Sequence, residues 1–552
     1  MVYVLPREGP AHPQVSWDGS GVFDGTYDDL RDDLARGTPI TIEIGRDQAR
    51  ALSRGRLNLA TWMVSNQDRR YSKENSGSPL RGQLKPGRPA IIDAMLGTDV
   101  TMGDPVVTMG DPEALMGGLA AARLFTGSTD LPKELYGPGP RKRWVRMRAI
   151  GALTKLRGAG SITIGYQATI TTGAAMVLVW EAAGLTSAEY VVDQDAIDNG
   201  RDLLHWYVDN RDPWSVSEEI WATEGPTGAL YEDQEGRANF EGSNYQTLTD
   251  RCQTIQQTFT TSEATRESGT MGDADVTMGD ARVSMDGTQR SLTFIGLDVE
   301  DGYRQIVNDV TFRVEQRAAQ STTQVWEYNG NIALTAAQVY TIIATTDDPL
   351  AAITTPALTT DYTVTGTALA SVTATALGAK SVLITLTAGA GSATVGPRAG
   401  GNGIRLRGQP VTLIGSVDAV PTIDVSDSQS EFGRRPLPSD VTIWPCVAPA
   451  TAAGIADAWV LTYSVERPSI TVTIVNKSGR LLHQATQRRI SDLIHVVDPT
   501  ESGVDLDLTI HSIKHEIHGD WLHYTTFGCE KRVESDWGLY DDAQYDVDRY
   551  GQ

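Results

Sequence analysis

Residues 38–44 read TPITIEI, residues 54–64 read RGRLNLATWMV, and residues 66–93 read NQDRRYSKENSGSPLRGQLKPGRPAIID. In the first segment Ile40, Ile42 and Ile44 share one face of an extended chain, while Thr41 and Glu43 face the other way. This two-residue period predicts a half-buried β-strand. The third segment is dense in Asn, Asp, Gly and Pro, so we predict an ordered loop before the next strand. No catalytic reaction requires this pattern.

Length and composition limit the architecture and the class of partner. At about 150 residues per domain, the 552 residues of the chain predict three or four domains. The net charge of −23 argues against a surface that grips nucleic acid, because phosphate binding requires clustered Lys and Arg. Two interpretations of the acidity stay open: it lets DNA slide past without sticking, or it only keeps the protein soluble.

The cysteines and the N-terminus indicate where the chain folds. Cys252, Cys446 and Cys529 lie far apart with no CxxC spacing, and their odd number argues against a disulfide framework. We therefore expect folding in a reducing cytoplasm. The N-terminal MVYVLPREGP has no apolar segment, and no run of 18 apolar residues occurs, so we predict neither a signal peptide nor a membrane span.

Changes in composition and hydrophobic period divide the chain and predict a mainly β fold with some α (α+β). Helices are predicted in TTGAAMVLVWEAAGL (171–185), in PWSVSEEIWATEG (213–225), where Val216 and Ile220 share a face, and over 450–463. The predicted domains are a β-rich block (1–157), a mixed α/β block (158–290), the start of a second β-rich block (291–328), an inserted small β-sandwich (329–420), the rest of the second block (421–531) and an acidic, aromatic tail (532–552).

One internal repeat has no assigned element. TMGD begins at Thr101, Thr108, Thr270 and Thr277, and SMDG at Ser284 is a degenerate copy. Each unit contains a helix-breaking Gly and one apolar anchor, which favours short turn repeats over a coiled-coil heptad. The Met residues could line a subunit contact, or the repeats could be plain exposed loops.

Sequence motifs for enzymatic chemistry are missing. The chain contains no GxxxxGK[ST], no GxSxG and no HExxH, and we predict no cofactor. Four of the eight histidines lie in HSIKHEIHGDWLH (511–523). On a regular strand His511 and His515 share a face and His518 lies on the other, unless a bulge intervenes. We predict an exposed or intersubunit sheet face with no metal, and we keep His511, His515 and His518 as candidate zinc ligands.

Carboxylates and aromatic residues form three further patterns. The acidic run predicts a solvated loop or helix start rather than an acid/base pair; it comprises Asp24, Asp28, Asp29, Asp32 and Asp33. DQEGRANFE around Gly236 lacks the calcium-loop register and predicts a hairpin turn. In the tail, four aromatic residues could anchor the segment against a neighbour by folding on binding; they are Trp537, Tyr540, Tyr545 and Tyr550.

The order of motifs resembles that of the tail-tip hub proteins, or minor tail proteins, of long-tailed actinobacterial phages. Their signature loop runs "Asn-x-Asp-Gly-Arg-Tyr/Phe-Ser-Pro-x-Asn…Ser-Pro" and then "Leu-x-Pro-Gly-Arg-Pro". The matching residues here are Asn66, Asp68, Arg70, Tyr71, Ser72, Asn75, Ser78, Pro79, Leu84, Pro86, Gly87, Arg88 and Pro89. Arg69 and Lys73 stand where the family prefers Gly and Pro. DSQSEFGRR (427–435) resembles a second family motif, with Phe432 replacing Tyr, and His515, Glu516 and Trp521 occupy a third.

The resemblance implies a structural virion protein and not an enzyme. Hub proteins of this kind form a homotrimer at the tail tip, assembled in the host cytoplasm, with two similar barrels per subunit. The six barrels match the six-fold tube to the three-fold tip. The implied barrels are 1–157 and 291–328 with 421–531. The implied partners are further copies of the chain, a distal tail protein, the tail tube or tape-measure protein and other tail-tip proteins. Double-stranded DNA would pass through without specific binding.

Two other functions remain open from the sequence. A tail-associated peptidoglycan hydrolase would have to rely on the histidine cluster. A receptor-binding module would use the 329–420 sandwich to grip a glycan, although its strands contain few of the aromatic residues that sugar platforms use.

Overall fold

A computed structural model describes most of the chain. The described residues are 11–25, 28–35, 37–45, 57–95, 121–136, 143–261, 292–300, 302–398, 401, 403–476, 479–498, 502–519 and 522–532. Within them strands predominate over helices, which confirms the predicted mainly β fold with some α. In these ranges no helix is both long and apolar enough to cross a membrane. The TMGD repeats, Trp521 and the aromatic tail residues lie outside the described residues.

The strands and helices are numbered in chain order. The strands are β1 (Ala11–Val15), β2 (Ile40–Gly45), β3 (Leu59–Ser65), β4 (Pro89–Met95), β5 (Ala121–Thr129), β6 (Lys133–Tyr136), β7 (Arg143–Ile150), β8 (Ile162–Thr171), β9 (Tyr190–Val192), β10 (Asp202–Arg211), β11 (Ala229–Glu232), β12 (Ala238–Glu241), β13 (Gln257–Thr260), β14 (Leu292–Thr293), β15 (Gly296–Glu300), β16 (Phe312–Ala319), β17 (Thr323–Asn329), β18 (Ile332–Leu334), β19 (Val339–Thr345), β20 (Leu350–Thr354), β21 (Thr363–Gly366), β22 (Leu369–Ala376), β23 (Ser381–Ala388), β24 (Ala393–Gly396), β25 (Gly403–Ala419), β26 (Ser469–Val475), β27 (Leu493–Asp498), β28 (Val504–Ile517) and β29 (His523–Lys531). The helices are α1 (Thr154–Gly158), α2 (Thr172–Ala182), α3 (Gln194–Asp198), α4 (Pro213–Glu224), α5 (Tyr245–Leu248), α6 (Asp250–Gln253), α7 (Ser426–Phe432), α8 (Pro449–Tyr463) and α9 (Gly479–Gln487).

Five N-terminal strands and residues 28–35 form a closed circuit of hydrogen-bonded chain, called the first circuit. Its order is β1–β4–β5–β7–β3. Residues 28–35 close it, because Leu34 bridges to Val64 of β3 and Asp29 bridges to Gln14 of β1. β6 continues the edge of β5 along β7. The side chains of β7 alternate: Val145 and Met147 are buried, while Arg146 is exposed.

The C-terminal strands form a second circuit in the same manner. Its order is β13–β27–β28–β29–β26–β15. β14 and β15 follow each other within residues 292–300, and they close the circuit because β14 pairs with β13 and β15 pairs with β26. Residues 257–260 of this circuit come from the range predicted as the mixed block. The domain boundaries themselves stay a prediction.

The two circuits share strand order and register. The strands β2, β3, β4, β5 with β6, and β7 correspond to β15, β26, β27, β28 and β29. In the first circuit the chain advances four residues from Thr129 to Lys133 while its partner in β7 advances three. From Ile510 to Lys514 the same four-against-three bulge occurs opposite β29. The sixth strand differs, since β1 is antiparallel to β4 whereas β13 is parallel to β27.

β2 joins the circuits into one 14-stranded sheet. One edge of β2 pairs with β3, and the other edge pairs with β28. The predicted burial of Ile40, Ile42 and Ile44 is confirmed, and these side chains belong to one hydrophobic core that contains residues of both circuits. The inward-facing isoleucines therefore form part of the core beneath the junction.

The middle of the chain forms two further cores. The helices predicted over 171–185, 213–225 and 450–463 are confirmed as α2, α4 and α8, and they pack in a second core with Trp206 and Trp444. The predicted hairpin around Gly236 is confirmed as β11–β12, with Gly236 at φ +76°. β17 to β25 enclose a third core, so the 329–420 region folds around its own apolar centre.

Candidate functional site

The signature loop between β3 and β4 is a run of tight turns. Backbone hydrogen bonds link residues three apart in succession, from Asn66 to Arg69, from Arg69 to Ser72 and onward to residue 81. Asn66 is fully buried: its Nδ2 donates to Ser72 Oγ at 2.9 Å, and its Oδ1 accepts from the Tyr71 backbone N–H at 2.9 Å. These side chains satisfy loop backbone groups that no strand partner reaches.

Tyr71 fixes this loop to the first circuit. Its ring is buried 6.0 Å from that of Trp17, and its hydroxyl donates to Asp33 Oδ2 at 2.5 Å. Arg70 Nη1 reaches the same oxygen at 2.9 Å. Burial, followed by the contact with Asp33, raises the pKa of Tyr71, so its hydroxyl stays a donor. The loop is thus a preformed surface feature.

Arg69 stands where the resembling signature has Gly, and the backbone at this position has the conformation that Gly adopts most easily. Arg69 has φ +60°, in the left-handed region where Gly is free of strain and a side chain is not. Its side chain is exposed, as is that of Lys73. The turn therefore keeps the backbone geometry that suits the Gly of the family.

The second family motif surrounds a buried asparagine. Asn308 Nδ2 donates to Ser428 Oγ at 2.9 Å and to the Gly433 carbonyl at 3.0 Å, and its Oδ1 accepts from the Arg435 N–H at 2.7 Å. Phe432, which replaces the family's Tyr, meets the ring of Tyr303 edge-on at 6.1 Å. The motif joins α7 to the segment before β16.

The junction between the circuits is a polar–apolar ladder. Ile40 lies opposite Ile517, Ile42 opposite His515, and Glu43 opposite Lys514. The core-facing isoleucines specify this register, because a one-residue slip would place their side chains on the outer face. The opposite charges of Glu43 and Lys514 at one cross-strand position agree with it.

A buried histidine pair lies under this junction. His515 Nδ1 is 3.0 Å from His523 Nε2, and Thr525 Oγ1 lies 3.1 Å from His515 Nδ1. Burial lowers the pKa of His515, and it lowers that of His523 to about 4. Both rings are therefore neutral at pH 7, with one ring donating to the other.

The three histidines retained as zinc candidates do not converge. The bulge between Ile510 and Ser512 places His511 near Glu530, at 3.7 Å, instead of beside His515. His518 packs edge-on against Tyr524 at 5.5 Å. His515 faces the core rather than solvent or an exposed sheet surface. Among the described residues no three His, Cys, Asp or Glu side chains are arranged to hold a metal ion.

Two buried carboxyl groups, which the sequence analysis did not identify, hold the mixed block against the circuits. Glu232 accepts backbone hydrogen bonds from Asn58 at 3.0 Å and Leu153 at 2.7 Å, at the ends of β3 and β7. A Cβ at Gly151 would lie 2.1 Å from Glu232 Oε2, so only Gly fits there. Burial raises the pKa of Glu232 to about 8, against the lowering effect of the backbone donors.

Glu241 forms the second attachment. It accepts from Tyr231 Oη at 2.7 Å and from Ser491 Oγ at 2.5 Å, and Arg251 Nη2 lies at 3.1 Å. Arg251 also pairs with Asp492 at 3.0 Å, just before β27. Nothing in the sequence links these residues; only the folded chain brings 241 and 492 together.

Asp28, Asp29 and Asp33 of the acidic run each bind a nearby group. Asp28 accepts backbone N–H groups of Gly25 and Trp17, and Asp29 pairs with Arg31. These contacts stabilise turns and leave no pair of opposed carboxyl groups for acid/base catalysis among them.

A groove of about 560 Å³ beside β16 is lined by the charged residues Glu219, Asp309 and Arg313 among apolar and hydroxyl side chains, and by no histidine or cysteine. Its Glu219 has a pKa raised by burial and is paired with Arg211 at 2.7 Å. The three cysteines are buried and unpaired. This lining contains no activated nucleophile of the kind that hydrolysis requires.

Comparison with known proteins finds distant structural likeness only. No family model matches the chain, and no curated protein matches it. A tail protein from Neisseria meningitidis MC58 is 9% identical with TM-score 0.41, covering 95% of this chain and 96% of its own. The 43 kDa tail protein of prophage MuSo2 from Shewanella oneidensis is 12% identical with TM-score 0.42, covering 94% and 97%. Prophage tail protein gp18 from Listeria monocytogenes is 7% identical with TM-score 0.36, covering 95% of both chains. Likeness at this level assigns no function.

Proposed function

We propose that this chain is a non-catalytic structural protein of a phage tail, a homotrimeric hub at the tail tip. The observation that carries the proposal is the internal duplication: two circuits of matching strand order and register lie side by side in one chain, joined by β2. Three such chains contain six equivalent circuits, which suits a three-fold assembly below a six-fold tube.

The loop chemistry supports the same proposal. The signature residues Asn66, Tyr71 and Ser72 stabilise the loop itself, so the resemblance reflects one architecture and not a reaction. The distal tail protein, the tail tube or tape-measure protein and other tail-tip proteins would then bind at the two ends of the ring. Double-stranded DNA would pass through without specific binding, which agrees with the chain's net charge of −23.

The oligomeric state tests the proposal. Multi-angle light scattering of the purified full-length chain should give three times the chain mass of 59.6 kDa, and negative-stain images should show an annulus with a central opening. A single-chain mass across the accessible concentration range, with no annular particles, would contradict it.

A further inference from the structure

We propose that neighbouring copies of this chain join through β15 of one copy and β6 of the next, in the register that β2 and β28 use within the chain. This inference rests on the proposed function for the ring of three copies and adds the strands that build each contact. It identifies the partner of both edges as a second copy of the chain.

The first step is the equivalence of β2 and β15. β2 pairs with β3 so that Thr41 lies opposite Thr61. β15 pairs with β26, the counterpart of β3, so that Asp298 lies opposite Thr471. Both strands therefore occupy the same position in their circuits, and Glu300 corresponds to Glu43.

The second step is the equivalence of β6 and the end of β28. Tyr136 lies opposite Arg143, and Ile517 lies opposite His523, each at the closed end of its hairpin. Counting back from these pairs, Lys133 corresponds to Lys514. Within the chain, the end of β28 is the stretch that β2 covers.

The third step is that only one of the two equivalent junctions is made within the chain. Across the described residues, β15 pairs only with β26 and β6 pairs only with β7. Each strand therefore has one edge with no partner strand among the described residues, and an unpaired edge can recruit a further strand. Val299 is 39% exposed on β15, and Leu131, just before β6, is 50% exposed.

Charge complementarity agrees with this pairing. Repeating the β2–β28 register between copies places Glu300 opposite Lys133 of the neighbouring copy, as Glu43 lies opposite Lys514 within the chain. Glu300 and Lys133 are both exposed. Within the chain Lys514 also pairs with Glu516 of its own strand, at 2.5 Å. Opposite charges across strands stabilise a register, and like charges oppose it.

The contact joins two different surfaces, and such a contact builds a ring when its rotation closes. β15 belongs to the second circuit and β6 to the first, so the contact is heterologous, with a different surface on each copy. Each contact would reproduce the rotation between the two circuits of one chain. The six circuits of three chains would then be related by the same rotation, each to the next.

A cysteine pair tests the register directly. In the full-length chain we would combine Glu300→Cys with Lys133→Cys and oxidise the assembled protein; the native cysteines are buried. We expect dimers and closed trimers on non-reducing gels, and their loss on reduction. The matched control combines Glu300→Cys with Glu134→Cys, one residue out of register, and should give at least about tenfold less product, since adjacent strand residues face opposite sides.

A charge swap provides an independent readout. Glu300→Lys or Lys133→Glu alone should weaken association roughly tenfold, and the double variant should restore it. A trimer by light scattering that neither cross-links at this pair nor responds to the swap would overturn the strand assignment and leave the proposed function standing. A chain that is monomeric at every concentration would overturn both, and a ladder beyond three copies would overturn the closed ring.

Discussion

The first and second circuits share strand order, register and a bulge, yet the corresponding ends of their long hairpins differ in environment. In the second circuit β2 covers the end of β28, and His515 beneath it is completely buried. In the first circuit β6 has no strand across from it in the described residues, and Glu134, the counterpart of His515, is only half-buried. Burial at equivalent positions is therefore decided by the neighbouring strand and not by the hairpin itself.

The circuits also differ in the connection that follows an equivalent strand. After β3 the chain makes the turns of the signature loop before β4, whereas after β26 it forms α9 before β27. The sheet tolerates either connection because the ends of the corresponding strands stay in the same register. The two circuits thus share a frame of corresponding strands and differ in the segment that connects them: the signature loop in the first circuit and α9 in the second. Variants can test the shared strands and the connecting segments separately.

The largest effect is expected in the shared frame. Trp62 of β3 and Val472 of β26 occupy corresponding positions and are both buried. Trp62→Ala should lower the free energy of unfolding by ~4 kcal/mol, and Val472→Ala by ~2 kcal/mol, because the larger side chain leaves the larger cavity. Urea denaturation measures both, with Thr61→Ala on the outer face as a control. Equal losses would show that the size of the side chain at this position does not decide its contribution to stability.

The next effect belongs to the first circuit alone. Glu232 contacts the ends of β3 and β7, and its pKa is raised to about 8 in the folded chain from an ordinary value of 4.5. Between these pH values the unfolded chain releases the proton and the folded chain keeps it, so the free energy of unfolding falls as pH rises.

Glu232→Gln should remove this dependence. Relative to the unmodified chain, the fall between pH 5 and pH 8 should shrink by ~3 kcal/mol. Chemical denaturation at the two pH values measures it. Glu235→Gln is the matched control, since Glu235 is exposed and paired with Arg237. An unchanged slope in Glu232→Gln would show that the carboxyl is ionised at neutral pH.

A third effect, of opposite sign, belongs to the second circuit. The pKa values of His515 and His523 are lowered by burial, that of His523 to about 4. The unfolded chain takes up protons below about pH 6.5 while the folded core does not, so stability present above that pH is lost as pH falls toward 4. On the strands that pack around the two histidines, Lys514, Glu516 and Glu43 lie on the opposite face of the sheet. The neighbouring strand β26 contains no titratable residue.

Replacing both rings should suppress the acid sensitivity. His515→Leu with His523→Leu should reduce the loss between pH 7.5 and pH 5.8 by ~2 kcal/mol, about half from each ring. His518→Leu, outside the pair, should leave the loss unchanged. A double variant as acid-sensitive as the unmodified chain would place the responsible groups elsewhere.

Much of the frame was predictable from the sequence, because its signals are local. The alternation of Ile40, Ile42 and Ile44 and the apolar period of α2 and α4 predict individual elements. The contacts of Glu232 and Glu241 were not predictable, since they join residues far apart in sequence. The orientation of His511 depends on one bulge, which flips every later side chain and has no marker in the sequence.

The smallest effect sharpens the comparison at the loop that only the first circuit carries. Arg69 has φ +60° and an exposed side chain with no ion pair among the described residues, so Arg69→Gly removes strain and loses no contact. We expect the free energy of unfolding to rise by ~0.5–1 kcal/mol, measured by urea denaturation. Lys85→Gly is the matched control: it is an exposed basic residue of the same loop outside the left-handed region, and it should lower stability by a similar amount because Gly adds disorder to the unfolded chain. Equal changes in the two variants would mean that the left-handed turn at position 69 costs no free energy, and that the Gly preference of the resembling family has another cause.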